Sequence, residues 1–328
     1  MSEKTKIIVI LGPTASGKSD VAVSLAKWLG GPARLASESV AGGEIISADS
    51  RQVYKKLNIG TGKITPDTKN FSNFGTGQAK KKYIFTHKGI PHYLLNVASA
   101  KKRFTASEFK KLSEKAIKKI IKNGNIPIVC GGTGFYIDAL LEEKQMPEVP
   151  PNEKLRKKLE KKSAEELFKI LKKLDPTRAK SIDSKNPRRL IRAIEICKKI
   201  GKVPPAQGGS ASGGKYDVLK IGIETPEKKL KERINKRIEK WFEEGLLKEV
   251  RDLHQQGLSW KRMSEIGLEY KIVANYLQNK ISKEEMIERM QIETWQYAKR
   301  QMTWFKDKNI IWLPPKINLI EKEVKKFL

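Results

Sequence analysis

At 328 residues the chain can bury one large core or two smaller ones, and 67 Lys and Arg against 37 Asp and Glu leave a net charge of +30. Such an excess opposes compaction unless a polyanion or acidic surroundings offset it, so nucleic acid stands against a merely lysine-rich, solvated surface. Two distant cysteines (Cys130, Cys197) and three scattered histidines exclude a disulfide framework, a zinc spacing and a His-based metal site, and no run reaches membrane-spanning length, so a reduced, cytoplasmic protein without a signal peptide is expected. A monomer is expected separately from these features.

Ile7–Leu11 predicts a buried parallel strand over Lys6–Leu11, and Ser19–Leu29 carries helical apolar spacing. Between them lies Gly12-Pro13-Thr14-Ala15-Ser16-Gly17-Lys18-Ser19, a complete phosphate-binding loop of the kind found in ATP-binding proteins. Its glycines let backbone N–H groups turn towards an anion, and the helix N-terminus adds partial positive charge. Lys18 supplies a point charge for the outer phosphate, and the Ser19 hydroxyl is the candidate ligand for Mg²⁺. A short strand, Gly43–Ala48, follows, then an exposed Gly/Asn/Lys-rich excursion over Thr65–Gly89, a short strand at His92–Leu95, an amphipathic helix over Ala106–Lys122 and a buried strand at Ile126–Cys130. Strands alternating with helices imply a parallel sheet covered by helices.

From Pro147 the character changes. Asn152–Ile200 is almost wholly helix-patterned, broken at Asp175-Pro176 and Asn186-Pro187, and Glu153–Lys202 holds 18 basic against 7 acidic residues. Pro204-Pro205 and a Gly/Ser-rich stretch, Gln207–Gly214, close it. Val218–Ile223 then resumes the strand pattern, and Pro226–Phe305 is mainly helical. The expected organisation is an α/β core over 1–146, a basic helical insertion over 147–214 and a resumed, mainly helical core over 215–328.

The placement of carboxylates narrows the chemistry. A phosphate-loop hydrolase wants an acid at the end of a later strand. Here Ile126–Val129 runs into Cys130-Gly131-Gly132-Thr133-Gly134, whose amides and hydroxyl suit a second clamp on phosphate oxygens. The acid follows another strand, in Asp49-Ser50-Arg51-Gln52, where it serves as a base for an acceptor nucleophile, as an outer magnesium ligand or as a helix N-cap. Group transfer fits better than hydrolysis, which leaves a kinase and a transferase with pyrophosphate as leaving group.

Several blocks resemble the tRNA dimethylallyltransferase family. They are Gly12–Ser19, Ile46–Tyr54, Ile59-Gly60-Thr61-Gly62-Lys63, Gly131–Tyr136, Asp175-Pro176, Asn186–Glu195 and Tyr297–Phe305, in family order over nearly the whole chain. The resemblance implies a P-loop NTPase-like parallel sheet with a basic all-helical insertion. It implies a Mg²⁺-dependent prenyltransferase that moves the dimethylallyl group of dimethylallyl diphosphate to N6 of the adenosine 3′ of the anticodon (position 37) in tRNA. By it Asp49 takes the N6 proton, Gly12–Ser19 and Arg237 hold the diphosphate, and Thr133 lies at the reacting adenosine and pyrophosphate. Asp49–Gln52, Arg156 and Asn186-Pro187-Arg188-Arg189 match tRNA-contacting positions, with the anticodon stem-loop as the partner. A free-nucleotide adenylate dimethylallyltransferase and a small-molecule kinase are the alternatives. The aromatics Trp295, Tyr297, Trp304 and Phe305, at helical spacing, read as core before they read as base-stacking groups. Tyr93, Asn96, Trp295 and Ser264–Tyr270 depart from the family pattern.

Overall fold

Short apolar runs bounded by turn residues build one sheet. The computed structural model describes residues 4–31, 42–67, 85–141, 147, 149–204, 215–306 and 309–328. The chain runs through β1 (Thr5–Leu11), α1 (Lys18–Leu29), β2 (Gly43–Ser47), β3 (Phe85–His87), β4 (Ile90–Tyr93), α2 (Ala106–Lys122), β5 (Ile126–Gly131) and α3 (Gly134–Leu140). Four helices follow: α4 (Glu153–Leu159), α5 (Ala164–Leu174), α6 (Pro176–Ser181) and α7 (Pro187–Ile200). Then come β6 (Tyr216–Ile223), α8 (Glu227–Glu243), α9 (Leu246–Gln255), α10 (Trp260–Ile266), α11 (Leu268–Leu277), α12 (Lys283–Phe305), β7 (Ile311–Leu313) and α13 (Ile317–Phe327). Residues 68–84 of the expected excursion, Pro205 and the stretch Gln207–Gly214 lie outside the described residues.

The sheet order is β3-β4-β2-β5-β1-β6-β7, parallel except for the β3–β4 pair. Central β1 is covered on both faces, with Ile7 to Ile10 fully buried, which is why its sequence is continuously apolar. Its register sets the functional edge. Leu11 lies opposite Gly131, and Ser47 of β2 opposite Cys130, so three strands release their chains at one level. The crevice at that edge, where the chain leaving β1 crosses towards β2 and the chain leaving β5 crosses the other way to β6, is where parallel sheets bind ligands. This is a P-loop NTPase-like α/β fold. The strand expected at His92–Leu95 instead occupies Ile90–Tyr93, because Leu94 (φ 65°) and Asn96 (φ 56°) turn the chain out of extended geometry.

Two compact units divide the chain: Met1–Leu141 with Gly213–Leu328, and Glu142–Ser212. In the first, α1 and α13 pack Leu25, Leu29, Ile320 and Val324 against Ile8, Ile10 and Ile221, and a second core gathers Leu230, Ile234, Leu246, Tyr270 and Met290 from the later helices. The second unit has its own core of Leu159, Leu167, Leu171, Leu190 and Ile194, each worth about 1.5–3 kcal/mol when fully buried. Its helices start on side-chain caps: Asn152, Ser163, Asp175 and Asn186 each accept a backbone N–H of the first turn. The two Pro residues at N1 explain why the helical pattern breaks where it does.

Candidate active site

The loop after β1 takes the backbone shape that an anion cradle needs. Gly12 (φ 153°) and Gly17 (φ 91°) adopt positive φ, and Ala15 is forced to 63° between them. Two of its amides are already committed within the protein: Thr14 N donates to Gln301 Oε1 at 2.8 Å and Ser16 N to Pro13 O at 3.3 Å. The buried Ser16 hydroxyl has no hydrogen-bond partner. Lys18 Nζ donates back to Pro13 O at 3.0 Å, and burial, opposed by Cys130 and Asp49, draws its pKa below the ordinary lysine value. Ser19 is exposed beside these groups.

The second wall is made where β2 and β5 end together. Asp49 Oδ1 accepts Arg51 N at 2.8 Å and Gln52 N at 3.2 Å, so the carboxylate shapes its own turn. Ser50 N donates to Thr133 Oγ1 at 3.0 Å, and Thr133 N to Ala48 O at 3.2 Å, tying that turn to the start of α3. Gly131 is required here, because a Cβ would run into the carbonyl of Ala48. Gln52 Nε2 reaches Thr61 O and Gly62 O, which brings in the Ile59–Lys63 segment.

Helices distant in sequence complete the site. From α8, Arg237 donates to Thr14 Oγ1 at 3.2 Å and Arg233 to Ser16 O at 3.1 Å, one helical turn apart on one face. Burial draws the Arg237 pKa below its ordinary value. From α11, Glu269 holds Arg51 through both oxygens at 2.8 and 2.9 Å, with Tyr297 of α12 stacked at 4.6 Å. Burial works against the Arg51 charge, but Glu269 with its neighbours outweighs it and holds the guanidinium above its ordinary value. Gln301 Nε2 donates to Gly132 O at 2.8 Å, so one side chain bridges the phosphate loop and the glycine clamp. Glu249 of α9 accepts the amides of Asn58, Ile59 and Gly60, and the Tyr270 hydroxyl. Lys63 Nζ is held by Tyr54 O, Asn58 Oδ1 and Asn96 Oδ1, and burial lowers its pKa to about 8. His92, buried nearby, is lowered to about 4 by the same cause and is neutral. All these walls enclose a cavity of about 1050 Å³, lined by Lys18, Asp49, Lys63, Arg233, Arg237 and Tyr297 among others.

A family model described as IPP transferase matches residues 52–308. A curated relative, tRNA dimethylallyltransferase 2 of Treponema denticola, is 37% identical over 93% of this chain and 93% of its own length. The tRNA dimethylallyltransferase of Acetivibrio thermocellus is 37% identical over 94% of this chain and 91% of its own. The chain belongs to the tRNA dimethylallyltransferase family. The crystal structure of a tRNA delta(2)-isopentenylpyrophosphate transferase from Staphylococcus epidermidis aligns with a TM-score of 0.64 at 34% identity, covering 98% of both chains. A eukaryotic dimethylallyltransferase acting on tRNA aligns with a TM-score of 0.73 at 27% identity, over 95% of this chain and 74% of that one.

Against this tRNA dimethylallyltransferase framework, Gly12–Ser19, Asp49–Gln52, Thr133 and Arg237 come together in the first unit. Arg156, Asn186, Pro187, Arg188 and Arg189 belong to the second. There Arg156 forms a two-point ion pair with buried Glu195, which Arg192 also joins, Asn186 caps α7, and Arg188 and Arg189 are exposed. Tyr93, one of the departures, donates to buried Glu44 at 2.6 Å. Trp295 lies between Lys231 and Lys299. Phe305 is core, whereas Tyr297 is a site wall. Sequence reasoning missed Glu269, Gln301, Arg233 and Glu249. Gln301 and Glu269 stand in segments already singled out, Tyr297–Phe305 and Ser264–Tyr270, and Arg233 lies four residues before Arg237 on the same helix.

Among the described residues no cluster of three His, Cys, Asp or Glu could hold a metal. The donors present, the Ser19 hydroxyl and the Asp49 carboxylate, are hard oxygens. They fit a magnesium ion that takes most of its ligands from phosphate and water. No helix among the described residues is long and apolar enough to cross a membrane.

Proposed function

We propose that this site transfers the dimethylallyl group of dimethylallyl diphosphate to N6 of the adenosine 3′ of the anticodon, position 37, of tRNA, releasing pyrophosphate. One observation carries the reading: a phosphate loop and the Asp49 carboxylate face one cavity, while β5 ends in Gly131-Gly132-Thr133 where a hydrolase would keep its acid. The tRNA dimethylallyltransferase relatives and the neighbour acting on tRNA support the same choice of acceptor.

The adenine N6 is a poor nucleophile because its lone pair is delocalised into the ring. Reaction rests on placing it against C1 of the donor, removing its proton and stabilising the departing charge. Asp49 accepts the proton on its outer oxygen, since Oδ1 is held by two backbone amides. Lys18, Arg237 and the remaining loop amides bind the diphosphate, whose charge grows as the C–O bond breaks. Mg²⁺, held by Ser19 and phosphate oxygens, supplies further Lewis-acid charge when bound. Thr133 positions the Asp49 turn through Ser50 and lies at the acceptor. Ser50, Arg51 and Gln52 contact the flipped nucleotide's strand. Exposed Arg188 and Arg189, set at the start of α7 by Asn186 and Pro187 in the basic second unit that Arg156 braces through Glu195, take RNA phosphates, which offsets the cost of unstacking the target base. The chain acts as a cytoplasmic monomer in this reading.

Asp49→Asn tests it, because the amide oxygen can still cap the turn while the base is gone. Turnover of anticodon stem-loop RNA is expected to fall by about 10²–10⁴-fold with RNA affinity within a few-fold of the parent. Turnover near the parent's would reject Asp49 as the base.

A further inference from the structure

The residue after the glycine clamp points the wrong way for a core aromatic. In α3, Tyr136 is buried and stacks on Phe109 with ring centroids 4.3 Å apart, but its neighbour Phe135 is 43% exposed. Phe135 meets Trp304 of α12 edge to face at 6.3 Å. Trp304 is half-buried, its indole N–H donates to Asp138 at 3.1 Å, and its ring lies so close over Gly134 that a Cβ there would strike it. This anchored indole holds the Phe135 ring at the surface two residues from Thr133, whose hydroxyl accepts the amide next to Asp49.

The same face of α12 carries cations. Tyr297, Arg300, Gln301 and Trp304 follow helical spacing. Tyr297 and Gln301 reach into the cavity and the phosphate loop, while exposed Arg300 stands 5.9 Å from the Tyr297 ring. Exposed Lys299 lies beside it in sequence. An exposed aromatic ring backed by Trp304, with the exposed Arg300 guanidinium one helical turn before that Trp304 on α12, on a chain of net charge +30, is complementary to a base attached to a phosphate backbone. An apolar protein partner or a membrane would find cations at this rim instead of a continuous apolar patch.

We propose that Phe135, backed by Trp304 with Arg300 one helical turn earlier on α12, is a stacking platform for an unpaired base of the RNA strand next to the adenosine being modified. The proposal rests on the RNA-prenylating reading above and adds a subsite to it. Stacking there keeps the strand from re-closing over the flipped base, and it tolerates any base because every base has a π face.

The test uses an anticodon stem-loop with 2-aminopurine beside the target adenosine, the full chain, and Phe135→Ala and Phe135→Leu. With the parent, binding should quench the 2-aminopurine through stacking. Both variants should lose the quench and raise the half-saturating RNA concentration about tenfold, the size expected for one lost stacking contact, with a much smaller change for dimethylallyl diphosphate. Leucine keeps the apolar bulk without the π face, so equal failure of both variants separates stacking from packing. Parent-like quenching and RNA half-saturation in both variants would overturn the platform while the RNA-prenylating reading stands. A loss confined to dimethylallyl diphosphate would give the face to the donor, and RNA-free self-association abolished by Phe135→Ala would give it to a second copy; both outcomes overturn the proposal. Failure of the parent itself to alkylate the RNA would remove both the platform and the reading beneath it.

Discussion

In the proposed reaction Asp49 carries two loads, and they separate by atom. Oδ1 fixes the turn, and the second oxygen is left for chemistry. Lys63 shows the opposite economy: all three recorded partners are neutral oxygens, so its buried charge meets no carboxylate directly and titrates near pH 8. Its folded pKa lies below the ordinary 10.5. Below pH 8 both folded and unfolded chains hold the proton and the burial cost is fully present. Between about 8 and 10.5 the unfolded chain binds more protons, so this group's contribution to stability rises with pH. Asn96→Asp places a carboxylate where Oδ1 now lies 2.7 Å away. The variant should be about 1–2 kcal/mol more stable than the parent at pH 7, and that advantage should shrink towards pH 10.5 in urea denaturation. A pH-independent difference would show that Lys63 is not the titrating group. At this scale the sequence exposes what is contiguous. Gly12–Ser19 and Asp49 stand in short motifs with their own chemistry, whereas Glu269 and Gln301 act on residues 218 and 287 positions away, and the segments that hold them do not disclose those partners.

Elements explain why the site is stiff. β1, β2 and β5 end in register, and the side chain of Gln301 on α12 pins the loop after β1 to the turn after β5. Gly131→Ala should be destabilising by about 1–3 kcal/mol or more, because its Cβ would overlap the Ala48 carbonyl, which cannot rotate away. A lower denaturation midpoint checks this, and an unchanged one would contradict the close approach. Gln301→Glu keeps an acceptor for Thr14 N but loses the donor to Gly132 O and sets a negative charge beside the proposed diphosphate site. It should raise KM for dimethylallyl diphosphate by about tenfold, as like-charge repulsion adds to one lost neutral hydrogen bond, while RNA affinity stays close to the parent's. Long periodic segments were legible in the sequence: α2 spans the expected Ala106–Lys122, and the helices of 152–200 break at the expected Pro residues. Three-residue β3 and β7 were not, since so short a run holds too little alternation to read, and their pairing comes from neighbouring strands. The aromatic spacing of α12 was ambiguous for a different reason. One face of that helix serves both purposes, with Phe305 in the core and Tyr297 against Arg51.

At the scale of the whole molecule, the basic excess becomes a measurable quantity. If RNA phosphates neutralise the charge, log affinity should fall linearly with log salt, and replacing exposed Arg188 and Arg189 with Gln should flatten that slope by about 1–2. A slope unchanged by the pair would assign those residues to a solvated surface. The function itself turns on which bond is made. Purified protein with Mg²⁺, dimethylallyl diphosphate labelled in its alkyl group, an anticodon stem-loop carrying adenosine at position 37, and AMP and ATP offered in parallel decides it in one experiment. Label is expected on N6 of that adenosine with stoichiometric pyrophosphate. Label in AMP but not in RNA, or phosphoryl transfer from ATP without any prenyl transfer, would contradict the proposed function.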